Sequence, residues 1–209
     1  MSINPELLEE FMRKAQAVSV IVTEAASASA ALEYTMDVCR RKDACQLLLS
    51  GCEAPLSKGS EDLCAEKQGK IVAAPKLDPA WTEQLTVMGQ TQGVRVITHG
   101  LRDHLAGIDI GLTMADYGVS ETGTLVIDSS DEDLRLATMI SEIHVAILPA
   151  SRIRKTLIEL ETELNGLIGQ MPGFTAFITG ASRTADIERV LALGVHGPLE
   201  LHVLIWKDK

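Results

Sequence analysis

The stretch GLTMADYGVSETGTLVID, residues 111–128, decides how the rest of the chain is read. Leu125, Val126 and Ile127 form a short apolar run of the kind found in strands buried on both faces. Ahead of them lie small and polar residues that carry chemistry: Thr113, Asp116, Ser120, Glu121, Thr122, Gly123 and Thr124. Gly118 and Gly123 let the backbone take a positive φ or approach another group closely. A carboxylate in a Thr/Gly/Thr turn at the mouth of a core strand must be hydrogen-bonded, paired or wet. Two readings of Glu121 stay open here. It holds its loop by accepting backbone N–H groups, or it meets a ligand.

Outward from that stretch, strands alternate with helices, which predicts an α/β sheet with helices on both faces. On the N-terminal side, Pro5 to about Val18 has helical spacing, with Asn4 as N-cap and Pro5 in the first turn. Val18–Val22 reads as a short β-like run, and a second helix passes through Leu32, Met36, Val38 and Cys39. Cys45–Leu49 reads as a first central strand, and residues 51–69 as a surface loop or weak helix. Ile71–Ala74 is a strand ended by Pro75. Asp78 caps a helix that has Pro79 in its first turn and stops at Gly93. Val94–Thr98 and Ile108–Thr113 read as extended, with a short helical turn over 101–105 between them.

On the C-terminal side, SSDEDLR (129–135) marks a turn or the start of a short helix. Ile143–Leu148 is a buried strand ended by Pro149. Ser151 is expected to cap a long helix through Leu157, Leu164 and Ile168. Phe174–Thr179 is a strand, a helix is expected over 184–193, and Leu199–Trp206 closes the chain as a strand. The runs VRVIT, TLVI, HVAIL and FITG predict parallel, doubly covered strands.

A chain of 209 residues with 46% hydrophobic and 23% charged residues has the composition of a globular protein. Only 3% is aromatic, so the core must be aliphatic. A net charge of −10 and a pI near 5.0 repel phosphate backbones and anionic lipid, which argues against nucleic-acid and membrane-surface partners. No apolar run has the length of a membrane span, and the acidic, amphipathic start lacks the pattern of a signal peptide. A cytoplasmic, reducing location is expected. Cys39, Cys45, Cys52 and Cys64 cluster in sequence but contain no Cys-x-x-Cys pair and no intervening His, so they read as thiols and not as metal ligands.

A second site-like segment runs through Thr179, Gly180, Ala181, Ser182, Arg183 and Thr184. A strand ends, a glycine turns the chain and a helix is expected to start. Helix-start N–H groups, the two hydroxyls and the Arg183 fork together suit a phosphate or carboxylate. Ordinary capping by Ser182 or Thr184 explains the same residues. The ending Gly-Lys-Ser/Thr of a P-loop is absent. His196, between Gly194 and Gly197-Pro198, is of the type that titrates near neutral pH, though a turn histidine is more often structural. His144 and His202 fall in strand patterns and read as packed.

Three segments together carry a family likeness: Gly111–Asp116 running into Glu121-Thr122-Gly123-Thr124; Ile143-His144-Val145-Ala146-Ile147-Leu148-Pro149; and Ile178–Glu188, closed by Gly194-Val195-His196-Gly197-Pro198. On these motifs the sequence resembles the LUD-domain family, and most closely its lactate utilization protein C branch. The resemblance implies one LUD domain over 1–209, with an N-terminal helical segment of about 1–42 packing on it. It implies a Rossmann-like, mostly parallel sheet of the NagB/RpiA/CoA-transferase type with a smaller β-rich lobe.

It also implies a cluster-free subunit of a system that oxidises L-lactate to pyruvate, whose iron–sulfur subunits would be its partners. No cofactor or metal is expected on this chain. The expected ligand-binding residues are Asp116, Thr122, Gly123, Thr124, Gly180, Ser182, Arg183 and Thr184, with Glu121 and His196 as candidate catalytic groups. Arg183 would clamp a small carboxylate and His196 would carry the proton. The expectation is that the two loops meet in one cavity at the rim of the sheet. Two other functions stay open: a transferase or sugar-phosphate enzyme with Glu121 as nucleophile or base, and an interaction module with no ligand.

Overall fold

The computed structural model of the protein describes residues 4–42, 69–104, 107–168, 173–184, 192–193 and 197–208. The expected strand over 45–49, most of the loop after it, and His196 lie outside the described residues. Helix α1 (Pro5–Ala17) starts where expected, with the Asn4 side chain accepting from the Glu6 N–H at 3.1 Å. Strand β1 (Ile21–Ala25) leads to α2 (Ala28–Arg41), capped by Ser27. Strand β2 (Ile71–Ala73) is followed by α3 (Pro79–Gln92), which Asp78 caps and Gly93 ends in the left-handed conformation. Strands β3 (Arg95–Ile97) and β4 (Ile108–Met114) complete the first half.

These strands build a six-stranded parallel sheet with β7 (Ser141–Pro149) and β12 (Glu200–Trp206), in the order β1-β12-β7-β4-β2-β3. Both faces are covered, as a parallel sheet requires. Ile143, Val145 and Ile147 of β7 enter the core under α2 and α3, while Ala146 and Leu148 enter the core shared with Phe11 and Ala15 of α1. That alternation is the period of two of a strand with a helix layer on each side.

A second sheet, in the order β8-β5-β6-β9, is built from excursions off two adjacent central strands. After β4 the chain forms β5 (Tyr117–Val119) and β6 (Thr124–Asp128), then returns through α4 (Glu132–Met139) to β7. After β7 it forms β8 (Ile153–Arg154), α5 (Glu161–Ile168) and β9 (Thr175–Ile178). Strands β5 and β9 both run antiparallel to β6.

Two expectations are therefore corrected. The runs TLVI and FIT are antiparallel partners in the small sheet; α1 buries β6 there as fully as a helix layer would, so an apolar run alone does not distinguish the two settings. The long helix from Ser151 does not form. The Ser151 backbone N–H donates to Asp208 at 3.0 Å, and Ile153–Arg154 pair with Gly118–Val119, so only Glu161–Ile168 remains α-helical. At the two ends of the expected helix over 184–193, Arg183–Thr184 (β10) pair with Ala192–Leu193 (β11) in an antiparallel ladder, and residues 185–191 lie outside the described residues.

Among the described residues, Lys42, Asp109, Glu142, His144 and His202 are ionisable side chains buried in and against the main sheet. Lys42, at the end of α2, has its ammonium 2.9 Å from Asp109 of β4 and 2.6 Å from Glu142 of β7. His144, on β7, is fully enclosed and lies 2.8 Å from the Thr113 hydroxyl. Burial pushes the His144 imidazole down to about 4. An unfolded histidine titrates near 6.5, so between these values the unfolded chain binds the extra proton. His144 should therefore cost the fold up to about 3 kcal/mol as pH falls through this window, with no further loss below it. Urea denaturation from pH 7 to pH 4 checks this: the pH dependence of the parent should exceed that of His144→Asn by that order.

Candidate functional site

The small sheet grows from the carboxyl ends of β4 and β7, the rim where an open parallel sheet ordinarily binds its ligands. Asp116 lies just past β4. Its Oδ2 accepts from the Asp128 N–H at 2.7 Å, and the Arg152 guanidinium stands 3.9 Å from its Oδ1. Burial pushes the Asp116 carboxyl up, against the pull of the Asp128 N–H and of Arg152. Across the rim, Lys76 follows β2 with a left-handed φ of 54° and its ammonium lies 3.7 Å from Asp131.

The segment after β6 links this rim to a cleft. Asp128 Oδ1 accepts from the Ser130 hydroxyl at 2.6 Å, and the Ser130 Oγ accepts from the Phe174 N–H at 3.1 Å. Phe174 in turn lies under the Arg135 guanidinium, 4.9 Å from ring centre to Cζ. Arg135 donates to the Ser129 carbonyl at 2.7 Å. Its other N–H groups have no partner among the described residues. The cleft between α4 and β9 holds about 470 Å³, and Arg135, Thr138, Phe177, Gly180 and Ser182 are among its walls. Arg135 supplies a fork of donors on a platform of aromatic carbon, and the Ser182 hydroxyl makes no hydrogen bond to another described side chain. That combination suits a small carboxylate or phosphate.

The expected site residues divide into separate groups. The β6–β9 pairing brings the two loops together at Thr124 and Thr179, whose hydroxyls are 2.7 Å apart, with Thr122 2.7 Å from Thr124. Gly123 and Gly180 face the end of α1: both have positive φ, and an added Cβ would lie 2.4 Å from the Ala15 nitrogen and 2.8 Å from the Val18 oxygen respectively. Arg183 joins them, donating to the Val18 carbonyl at 2.8 Å. Glu121 is exposed and turned elsewhere. Its backbone N–H donates to Lys155 at 3.0 Å, and its Oε1 accepts from the Leu157 N–H at 3.4 Å. Ser182 and Gly180 reach the cleft; Asp116 stands at the rim; Thr184 lies in β10.

Arg135 was missed by the sequence reading, although it is the lone cation in the otherwise acidic stretch SSDEDLR. Glu200 and His202 were missed as a pair. Their spacing of two on a strand puts both on one face, which was a usable signal.

The fold and its rim define a class: a parallel α/β domain whose carboxyl edge is overbuilt by a small mixed sheet. The LUD domain model matches residues 8–206, and the chain belongs to that family. A lactate utilization protein C from Halalkalibacterium halodurans is 33% identical over 130 residues, covering 61% of this chain and 54% of that protein. One from Geobacillus kaustophilus is 31% identical over 104 residues, covering 48% and 43%. The chain thus spans about half the length of the curated relatives it matches. A crystal structure of a DUF162 family protein from Deinococcus radiodurans superposes with a TM-score of 0.60 at 19% identity over 99% of each chain, a likeness of fold. Among the described residues no helix is long and apolar enough to cross a membrane.

The environment of Asp116 makes a test of the rim. Asparagine there can still accept the Asp128 N–H without carrying a charge into a partly buried position, and the half-exposed Arg152 contact is worth little. At pH 7 Asp116→Asn should melt no lower than the parent in a thermal scan; a fall of more than about 3 °C contradicts this account of the carboxylate.

Proposed function

We propose that this chain serves lactate utilization as a subunit without a redox centre of its own, holding a small carboxylate in the cleft between α4 and β9. Family membership and relatives named lactate utilization protein C support the pathway. The observation that carries the ligand class is Arg135: a guanidinium stacked on Phe174 and tied once to Ser129, in the wall of a cavity of about 470 Å³. In this reading the fold is of the NagB/RpiA/CoA-transferase type, and electron transfer from L-lactate belongs to iron–sulfur partner subunits in the cytoplasm. The clamp is Arg135, with Ser182 as the adjacent hydroxyl. Glu121 is exposed and does not line the α4–β9 cleft, so a carboxylate-nucleophile enzyme is the weaker reading.

One feature favours partner docking on the same face. Met139, Phe174 and Phe177 border the cleft at 51%, 54% and 48% exposure, and β9 is the last strand of its sheet. An iron–sulfur subunit seated there would close the cleft over its ligand.

The ligand reading is tested by thermal shift. A ligand that binds only the native state adds about 2.7 kcal/mol at a hundredfold excess over its Kd. Pyruvate should therefore raise the Tm of the parent by several degrees, and Arg135→Gln should lose most of that rise. Arg135→Lys should restore little of it, because an ammonium cannot reproduce the fork. An unchanged response in Arg135→Gln removes this cleft as the site.

A further inference from the structure

At the other end of the sheet, beneath the last turn of α2, lies a separate cavity of about 350 Å³. It shares no residue with the cleft of Arg135. Helix α2 contributes Tyr34 and Arg41, and Lys42 follows at its end; β12 contributes Glu200 and His202. Strands β1 and β7 contribute only Ile21 and Ile143.

Three of these side chains form a hydrogen-bonded line. The Tyr34 hydroxyl is 2.8 Å from His202 Nδ1, and His202 Nε2 is 2.9 Å from Glu200 Oε2. The imidazole is only 6% exposed. The His202 N–H holds the Glu200 carboxyl below the usual glutamate range, against the opposing effect of burial. With Nε2 donating to Glu200, the neutral ring has Nδ1 as an acceptor, so the Tyr34 O–H is spent on it. Once His202 takes a proton, Nδ1–H donates to the Tyr34 oxygen and the phenol hydrogen is released towards the cavity.

The charges around this line select the ligand. Lys42 is already held by Asp109 and Glu142. Among the described residues Arg41 is tied to its neighbour Asp37 alone, in an exposed pair 2.7 Å apart, which a ligand can replace at little cost. Glu200 has its second oxygen, Oε1, without a partner among the described residues, and it is ready to accept from a hydroxyl. A cationic fork, a switchable phenol donor and a carboxylate acceptor together match a small acid that carries a hydroxyl.

We propose that this cavity binds a small hydroxy acid, with Arg41 and Tyr34 on its carboxylate and Glu200 on its hydroxyl, and that one proton enters His202 from water as it binds. No covalent bond to the ligand changes. The imidazole gains the proton, and the Tyr34 O–H rotates from His202 to the ligand oxygen.

L-Lactate is the probe, titrated calorimetrically near pH 7 in two buffers of different ionisation enthalpy, with the parent and with Arg135→Gln, which silences the other cleft. In Arg135→Gln, binding should persist and be accompanied by proton uptake. In that background Tyr34→Phe should weaken binding about tenfold or more and abolish the uptake. His202→Gln, which keeps a hydrogen-bonding side chain, should also abolish the uptake. Propionate, lacking the hydroxyl, should bind several-fold more weakly. Loss of all L-lactate binding in Arg135→Gln overturns this second site while leaving the first intact. Binding without proton uptake, or uptake unchanged in His202→Gln, overturns it as well.

Discussion

The ammonium of Lys42 is the constraint on which the amino end of the main sheet depends. It sits at the end of α2 and reaches Asp109 on β4 and Glu142 on β7. Asp109 also accepts the Ile71 N–H of β2 at 2.7 Å. Three central strands and one helix are thereby referred to one point. Burial alone would push the Lys42 ammonium down, but the hydrogen bonds to Glu142 and Asp109 outweigh it and hold the group above the ordinary lysine value. Removing two or more charges from water offsets most of what their attraction returns, so such a cluster adds little net stability. Its effect is on register. A helix or strand displaced by one residue would leave a charge buried without its partner, and that error is expensive.

With the amino end pinned in this way, the carboxyl end is where the fold elaborates. Adjacent strands β4 and β7 each send an excursion outward, and the two excursions pair as one small sheet. Gly118 of β5 lies so close to Leu148 that an added Cβ would meet its Cδ2 at 2.7 Å. The small lobe is therefore packed down on the rim and does not hang from it. Part of the edge that an open sheet leaves for ligands is occupied by protein. What remains accessible is displaced sideways, into the cleft between α4 and β9.

Local chemistry made the helix ends of the first half legible. Asn4 with Pro5, and Asp78 with Pro79 and Gly93, carry their own caps, and the helices start and stop where those residues require. The strands were legible as strands, but their partners were not. Leu125–Ile127 and Ile143–Leu148 are equally apolar because both are enclosed, one by a helix and its own small sheet, the other by helices on two faces. Apolar content reports burial and is silent on direction. The site was legible only as far as the meeting of the two loops, which Thr124 and Thr179 make. Arg183 and Glu121 were the conspicuous charges in those loops, yet each is spent on backbone groups nearby. Whether a charge is spent locally depends on where α1 and the segment after β8 come to lie, and these are long-range facts.

The polar residues inside otherwise apolar strands carry the remaining argument. Asp109, Glu142, His144 and His202 are buried in otherwise apolar strands, and Glu200 stands half-exposed at the start of β12. Asp109 and Glu142 are accounted for by Lys42, and His144 by Thr113. Glu200 and His202 have no such structural duty towards another strand. Their line ends on a tyrosine at the wall of a cavity, on the side of β12 that faces α2. Local rules that a fold breaks without structural return are broken at places of use. By that criterion the amino end of the sheet, away from the edge where such folds are usually searched, holds the least explained and most chemically able group among the described residues.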